Sequence, residues 1–179
     1  MKQIVYYVAS SIDGFISGPD DDVSGYVSEG NGVAQYLSDL SAFDTVIMGR
    51  NTYEFGYQYG MEPGQPSPVY GSMEHYIFSD SLVFENPDPK VHVVPVQLEE
   101  IEKIRGQSAT AIYLCGGGQL AGWLLDNKKI DILKIKLSPL ILGRGVRIFG
   151  NSNRNFKTEL LDTQLYDGGL QIITYKIIY

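Results

Sequence analysis

Three successive glycines, Gly116, Gly117 and Gly118, end the apolar run 111–115 and open a segment in which Leu120, Trp123 and Leu124 share one helical face. Glycine has no Cβ and accepts φ > 0, so a strand that ends this way lets backbone approach a ligand closely. The helix that follows offers unpaired N–H groups and a positive dipole end, which suit phosphate. A bound dinucleotide would lay its pyrophosphate here, along Gly116 to Leu120 with Gln119 between. A second apolar run, 44–50, stops at Gly49, and Asn51 and Glu54 then have capping-box spacing with Asn51 as N-cap. Asp13 and Gly14, set between apolar residues, carry a hairpin-turn signal. The glycine-bearing stretch 138–149 holds two arginines, Arg144 and Arg147.

The elements that must position these groups follow from periodicity. Residues 3–9 are β-branched and aromatic and read as a buried strand, as do 44–50, 75–79, 91–96 and 111–115. Helical spacing appears over 33–43, through Val33, Tyr36, Leu37, Leu40 and Phe43, and over 98–104. Residues 130–137 alternate apolar and polar, which predicts a strand with one wet face. Residues 56–72, with three prolines, and 138–149 read as loops. Two long strands, 156–166 and 170–179, flank the turn signal Asp167-Gly168-Gly169 and predict a closing hairpin. Strands alternating with helices and ending in a hairpin predict an α/β fold with a mostly parallel central sheet.

Composition removes several classes of function. The 179 residues suit one domain, 1–179, with a full core. A net charge of −7 with scattered Lys and Arg gives no basic face for nucleic acid. One cysteine, Cys115, cannot make an internal disulfide, which fits a reducing, cytoplasmic setting. His75 and His92 lack ligand spacing, so no metal site is expected. No stretch reaches membrane-spanning length.

The run Gly116-Gly117-Gly118-Gln119-Leu120-Ala121 formally matches the G-x-G-x-x-G/A fingerprint. A Rossmann domain places that turn after its first strand with an acid about 20 residues on. Here four strands precede it, and 134–136 holds no acid, so the Rossmann fold is rejected. The chain instead resembles the dihydrofolate reductase-like superfamily, and within it the reductase domain of riboflavin biosynthesis (the RibD C-terminal type). Five segments carry the likeness in order: 11–16 (SIDGFI), 48–54 (MGRNTYE), 76–79 (YIFS), 114–120 (LCGGGQL) and 137–145 (LSPLILGRG).

That resemblance implies a three-layer α/β/α arrangement and NADPH as cofactor. It implies that Gly49, Arg50, Asn51 and Thr52 hold cofactor phosphates, with Arg50 and the Ser79 hydroxyl at the 2′-phosphate. It also implies a strained, cis-prone Gly116-Gly117 pair beside the cofactor, and Ala9 and Ile16 holding the nicotinamide carboxamide through backbone groups. Asp13 is read either as a turn former or as a proton relay; Arg144 and Arg147 either dock a phosphorylated sugar or are ordinary loop arginines.

The likeness to folate reductases ends at the first helix, where Val33 takes the place of their pterin-binding acid. An attached deaminase domain would show an H-x-E and P-C-x-x-C zinc signature, and none is present. The expected activity is hydride transfer from NADPH to a small flat heterocycle, like that of the 5-amino-6-(5-phosphoribosylamino)uracil reductase domain or dihydrofolate reductase. The alternative is an NADP-binding regulatory module without turnover. A homodimer is expected from the family and from the exposed edge of the C-terminal hairpin.

Overall fold

A computed structural model describes all residues, 1–179. Its centre is a strand, β1 (Ile4–Ser10), whose sequence IVYYVAS is apolar on both faces and is buried almost throughout. On one side of β1 lies β6 (Ile112–Gly116), and on the other β7 (Ile132–Leu137), both parallel to it. Beyond β6 the sheet continues through β3 (Thr45–Gly49), β4 (Glu74–Phe78) and β5 (Val91–Val94), all parallel. Beyond β7 it continues through two antiparallel strands, β10 (Gln171–Ile178) and then β9 (Lys157–Leu165), to give eight strands in order β5-β4-β3-β6-β1-β7-β10-β9. The turn that joins β9 to β10 needs two residues at positive φ, and Gly168 and Gly169 supply them.

Both faces of the sheet are covered around β1, while β9 at the edge stays exposed. Ile4, Tyr6 and Val8 of β1 pack with Ile101 and Ile104 of α3 (Leu98–Gln107) and with Leu120, Ala121 and Leu124 of α4 (Gly118–Asp126). Val5 and Tyr7, pointing the other way as strand geometry requires, pack with Leu40 of α1 (Asn31–Leu40) and Tyr53 of α2 (Arg50–Phe55). The fold is thus the expected mostly parallel α/β sheet with helices on both faces and an antiparallel C-terminal hairpin. No helix is long and apolar enough to cross a membrane.

Four local expectations are corrected. The Asp13-Gly14 turn does not make a hairpin with β1: β2 (Phe15–Ser17) leaves the main sheet and pairs with β8 (Val146–Arg147). Hence 138–149 is not wholly loop, and the two distant segments form a ribbon of their own. The capping box is absent: α2 begins at Arg50 with no side-chain cap, and Glu54 accepts instead from Arg50 Nε at 2.8 Å. Finally, the polar side of β7 is only partly exposed. Flanked by β1 and β10, it points Lys134 toward α1, where Lys134 Nζ meets Asp39 at 2.6 Å.

Candidate cofactor-binding site

Parallel strands that end together leave a crevice at their carboxyl edge, the usual ligand position in open α/β sheets. Here β1, β3 and β6 end on one cavity of about 560 Å³, a size ordinary for cofactor and small-molecule sites. Two strand-to-helix turns form its walls. Gly49, Arg50, Asn51 and Thr52 come from the β3–α2 turn, and Gly117, Gly118, Gln119 and Leu120 from the β6–α4 turn. Ala9 and Ile16, from the end of β1 and the start of β2, also line it, whereas Gly116 and Ser79 of the expected set do not.

The turns meet because glycine allows it. A Cβ on Gly117 would stand 2.8 Å from Thr52 Oγ1, and Gly49 lies opposite, its own ideal Cβ 3.9 Å from Gly117 N. Gly116 has φ +141 and the Gly116–Gly117 peptide is cis. Behind the wall, a Cβ on Gly118 would lie 2.1 Å from the Arg147 carbonyl oxygen, and one on Gly122 would lie 2.3 Å from that of Phe149. One face of α4 is therefore a glycine track on which 147–149 rests, and Tyr6 Oη fixes that segment by donating to Ile148 O at 2.8 Å. This close packing seats β8, and through it β2 with Ile16, over the cavity.

Arg50 is held in place by its neighbours at the cavity wall. Arg50 Nε is held by Glu54, and Nη1 donates to Ser81 Oγ at 3.2 Å. The hydroxyl beside Arg50 is therefore Ser81's, not that of Ser79. Ser79 turns its oxygen onto the backbone amides of Leu82, at 3.0 Å, and Ser81, at 3.3 Å. Helix α4 has Gly117 as its N-cap and no side-chain cap, so its first amides are not taken by a side chain. Uncapped amides, an arginine fork and glycine walls fit a phosphate-bearing dinucleotide.

Asp13 is not among the residues that line the cavity. Its carboxylate accepts from Ser11 Oγ at 2.7 Å, Gly143 N at 2.7 Å and Leu142 N at 3.1 Å. The Ser11 hydroxyl foremost, with the Gly143 and Leu142 amides against slight desolvation, lowers its pKa to about 2. A carboxylate so held is ionised at neutral pH and has no proton to relay; its work is to tie two loops together. Arg144 stays outside the cavity, in a shallow depression beside Asp20 and Asp21. Arg147 contributes its backbone to the α4 contact, and its neighbour Val146 lines the cavity.

Several lining residues escape sequence reasoning. Trp123, assigned by spacing to the core face of α4, and Phe55, Phe78 and Val96 form the apolar wall. Cys115 lines the inner end, and burial pushes its thiol pKa up, so it is a neutral wall group. Asp21 reaches the rim from a loop that carried no motif. The acid on α1, Asp39, is engaged by Lys134, by Gln35 Nε2 at 2.8 Å and by Tyr7 Oη at 3.0 Å.

Known proteins share this architecture. A Shewanella sp. PV-4 protein named for riboflavin biosynthesis superposes with a TM-score of 0.80 at 22% identity, each chain covered in full (100%). The Thermotoga maritima diaminohydroxyphosphoribosylaminopyrimidine deaminase/5-amino-6-(5-phosphoribosylamino)uracil reductase superposes with a TM-score of 0.74 at 14% identity, over 99% of this chain and 57% of that one. In sequence, the uncharacterised Bacillus subtilis (strain 168) protein YyaP is 23% identical over 181 residues, covering 97% of this chain and 94% of the relative. The profile of the RibD C-terminal domain matches residues 2–172. With nearly the whole chain and every residue of the cavity wall inside that match, the chain belongs to the RibD C-terminal domain family.

Proposed function

We propose that this chain is an NADPH-dependent reductase of a small, flat heterocycle. The observation that carries the reading is the meeting of two glycine-ended turns, through Thr52 and Gly117, on one cavity at the carboxyl edge of the sheet. The reductase activity for which the structurally similar Thermotoga protein is named agrees with it. When bound, NADPH supplies the hydride, and the protein's share is binding and orientation.

Each wall then has a task. The amides that open α4, at Gly118, Gln119 and Leu120, face the pyrophosphate with the positive end of the helix dipole. Arg50, braced by Glu54 and Ser81, meets the 2′-phosphate by charge-assisted hydrogen bonds. Backbone groups of Ala9 and Ile16 hold the carboxamide, and the apolar wall of Phe55, Phe78 and Trp123 keeps water off the cofactor. With Asp13 ionised and Asp39 paired, water is the proton source. A second copy of the chain covers β9, whose nine residues are all exposed.

Calorimetric titration with NADPH and NADH, on wild type and Arg50→Ala, tests the reading. NADPH should bind at least tenfold tighter than NADH, and the substitution should abolish most of that difference. Failure of both cofactors to bind overturns the reductase.

A further inference from the structure

His75 of β4 has no exposed surface and does not line the cavity. Both of its ring nitrogens are bound to backbone, and those partners fix where its proton lies. Nδ1 is 2.9 Å from the Met73 carbonyl oxygen, which can only accept, so the ring proton is there. Nε2 is 3.1 Å from the Ser67 amide, which can only donate, so this nitrogen presents its lone pair. The packing is built for a neutral ring.

The two contacts hold down a strap, 65–73. Ser67 lies between Pro66 and Pro68, which have no N–H, so its amide is the one donor of that triplet and His75 takes it. The strap is also tied by Tyr53 Oη, which donates to Gln65 O at 2.7 Å, and by Lys90 Nζ, which donates to Gly71 O at 3.3 Å. Tyr70, in its middle, stacks on the His75 ring with centroids 5.5 Å apart. The Tyr70 hydroxyl is 3.5 Å from Cys115 Sγ, and Cys115 lines the cavity, so the strap backs that wall.

A proton on Nε2 would aim an N–H at the Ser67 N–H and bury a charge with no carboxylate paired to it. Glu74 gives its carboxylate to His92 at 2.8 Å, and Asp88 accepts from the Lys90 amide at 2.9 Å. The β3 and β5 partners of His75 are the apolar Val46 and Val91, and Tyr70 covers it from the strap. Burial foremost holds the His75 pKa below the usual histidine value. The Lys90 charge adds to that, while the Met73 carbonyl, Glu74 and Asp88 oppose it.

We propose that His75 is a proton-operated latch on the strap 65–73: neutral, it pins the strap; protonated, it releases it, draws Tyr70 off Cys115 and opens the cavity wall there. The latch is independent of what the cavity binds.

Hydrogen exchange of the full chain at about pH 7 and about pH 5, corrected for intrinsic rates and read by mass spectrometry, tests it. In wild type the protection of 65–73 should fall at least tenfold in acid, while that of β1 is kept. His75→Gln offers Ser67 an uncharged acceptor, and its strap should stay equally protected at both values. Cys115 is the sole cysteine and reports on the wall. A pyridyl disulfide should modify it at least tenfold faster in wild type than in His75→Gln in acid, and equally fast at neutrality. Strap protection that does not fall in wild type overturns the latch, as does loss of protection from β1 together with the strap. An acid response that persists in His75→Gln, or a Cys115 no faster in wild type, overturns it too. Should His75→Gln fail to fold, wild-type exchange decides alone.

Discussion

Thr52 Oγ1 stands 2.8 Å from the place a Cβ on Gly117 would occupy, closer than a side chain tolerates. The two turns of the site are thus fitted to each other at a single point, and Thr, being β-branched, has little rotamer freedom to yield. Gly117→Ala should force Thr52 and the β3–α2 turn outward, costing about 1–3 kcal/mol of stability as overpacking does. It should also weaken NADPH binding at least tenfold. The control is Gly106→Ala in α3, where nothing lies within 4 Å of the added methyl. That change should leave NADPH binding unaltered and raise stability by about 0.5–1 kcal/mol. Chemical denaturation and cofactor titration of both variants check this, and equal behaviour of the two would remove Gly117 from the site.

Asp13 makes a pH-dependent contribution to stability. Its folded pKa is depressed to about 2, mainly by the Ser11 hydroxyl, from an unfolded value of about 3.9. A depressed carboxylate stabilises the fold above its unfolded pKa and loses that contribution as pH falls through the folded one. The gap in melting temperature between wild type and Asp13→Asn should therefore be constant above about pH 5 and close between about pH 4 and 2. Thermal unfolding at stepped pH reads it. A gap that stays open at pH 2 would mean that the loop tie does not depend on the charge.

The edge strand β9 should bring two chains together. It ends the sheet, so its outer backbone groups lack a strand partner, and Leu160, Leu161 and Leu165 are 55%, 51% and 75% exposed. Natural edges of this length are usually covered, bent away or charged. Light scattering should give twice the mass of one chain, and Leu160→Lys with Leu165→Lys should reduce it to one. A wild-type monomer at the same concentration would count against the dimer.

Much of the frame was legible because it is local. Alternation, helical spacing and glycine placement are properties of a few consecutive residues, and they located β1, β3, β6 and the closing hairpin within a residue or two and marked a helix where α4 lies. The same local chemistry marked Gly49 to Thr52 and Gly117 to Leu120, all of which line one cavity. Where local rules competed, the sequence reading failed. Asn51 and Glu54 have capping spacing, but Glu54 also lies one helical turn from Arg50, and the ion pair took it. Asp13-Gly14 has hairpin chemistry, but the partner of β2 lies about 130 residues away.

By itself, then, the sequence determined which segments are strands and helices and which turns can let backbone approach a phosphate, since backbone freedom and periodicity are set by nearest neighbours. Only the tertiary structure decided which elements lie side by side. It put Ser81 rather than Ser79 against Arg50, set β8 on the glycine face of α4, and paired Lys134 of β7 with Asp39 of α1. Strand order and register fix those juxtapositions, and they depend on contacts between residues far apart in the chain, which no local spacing encodes.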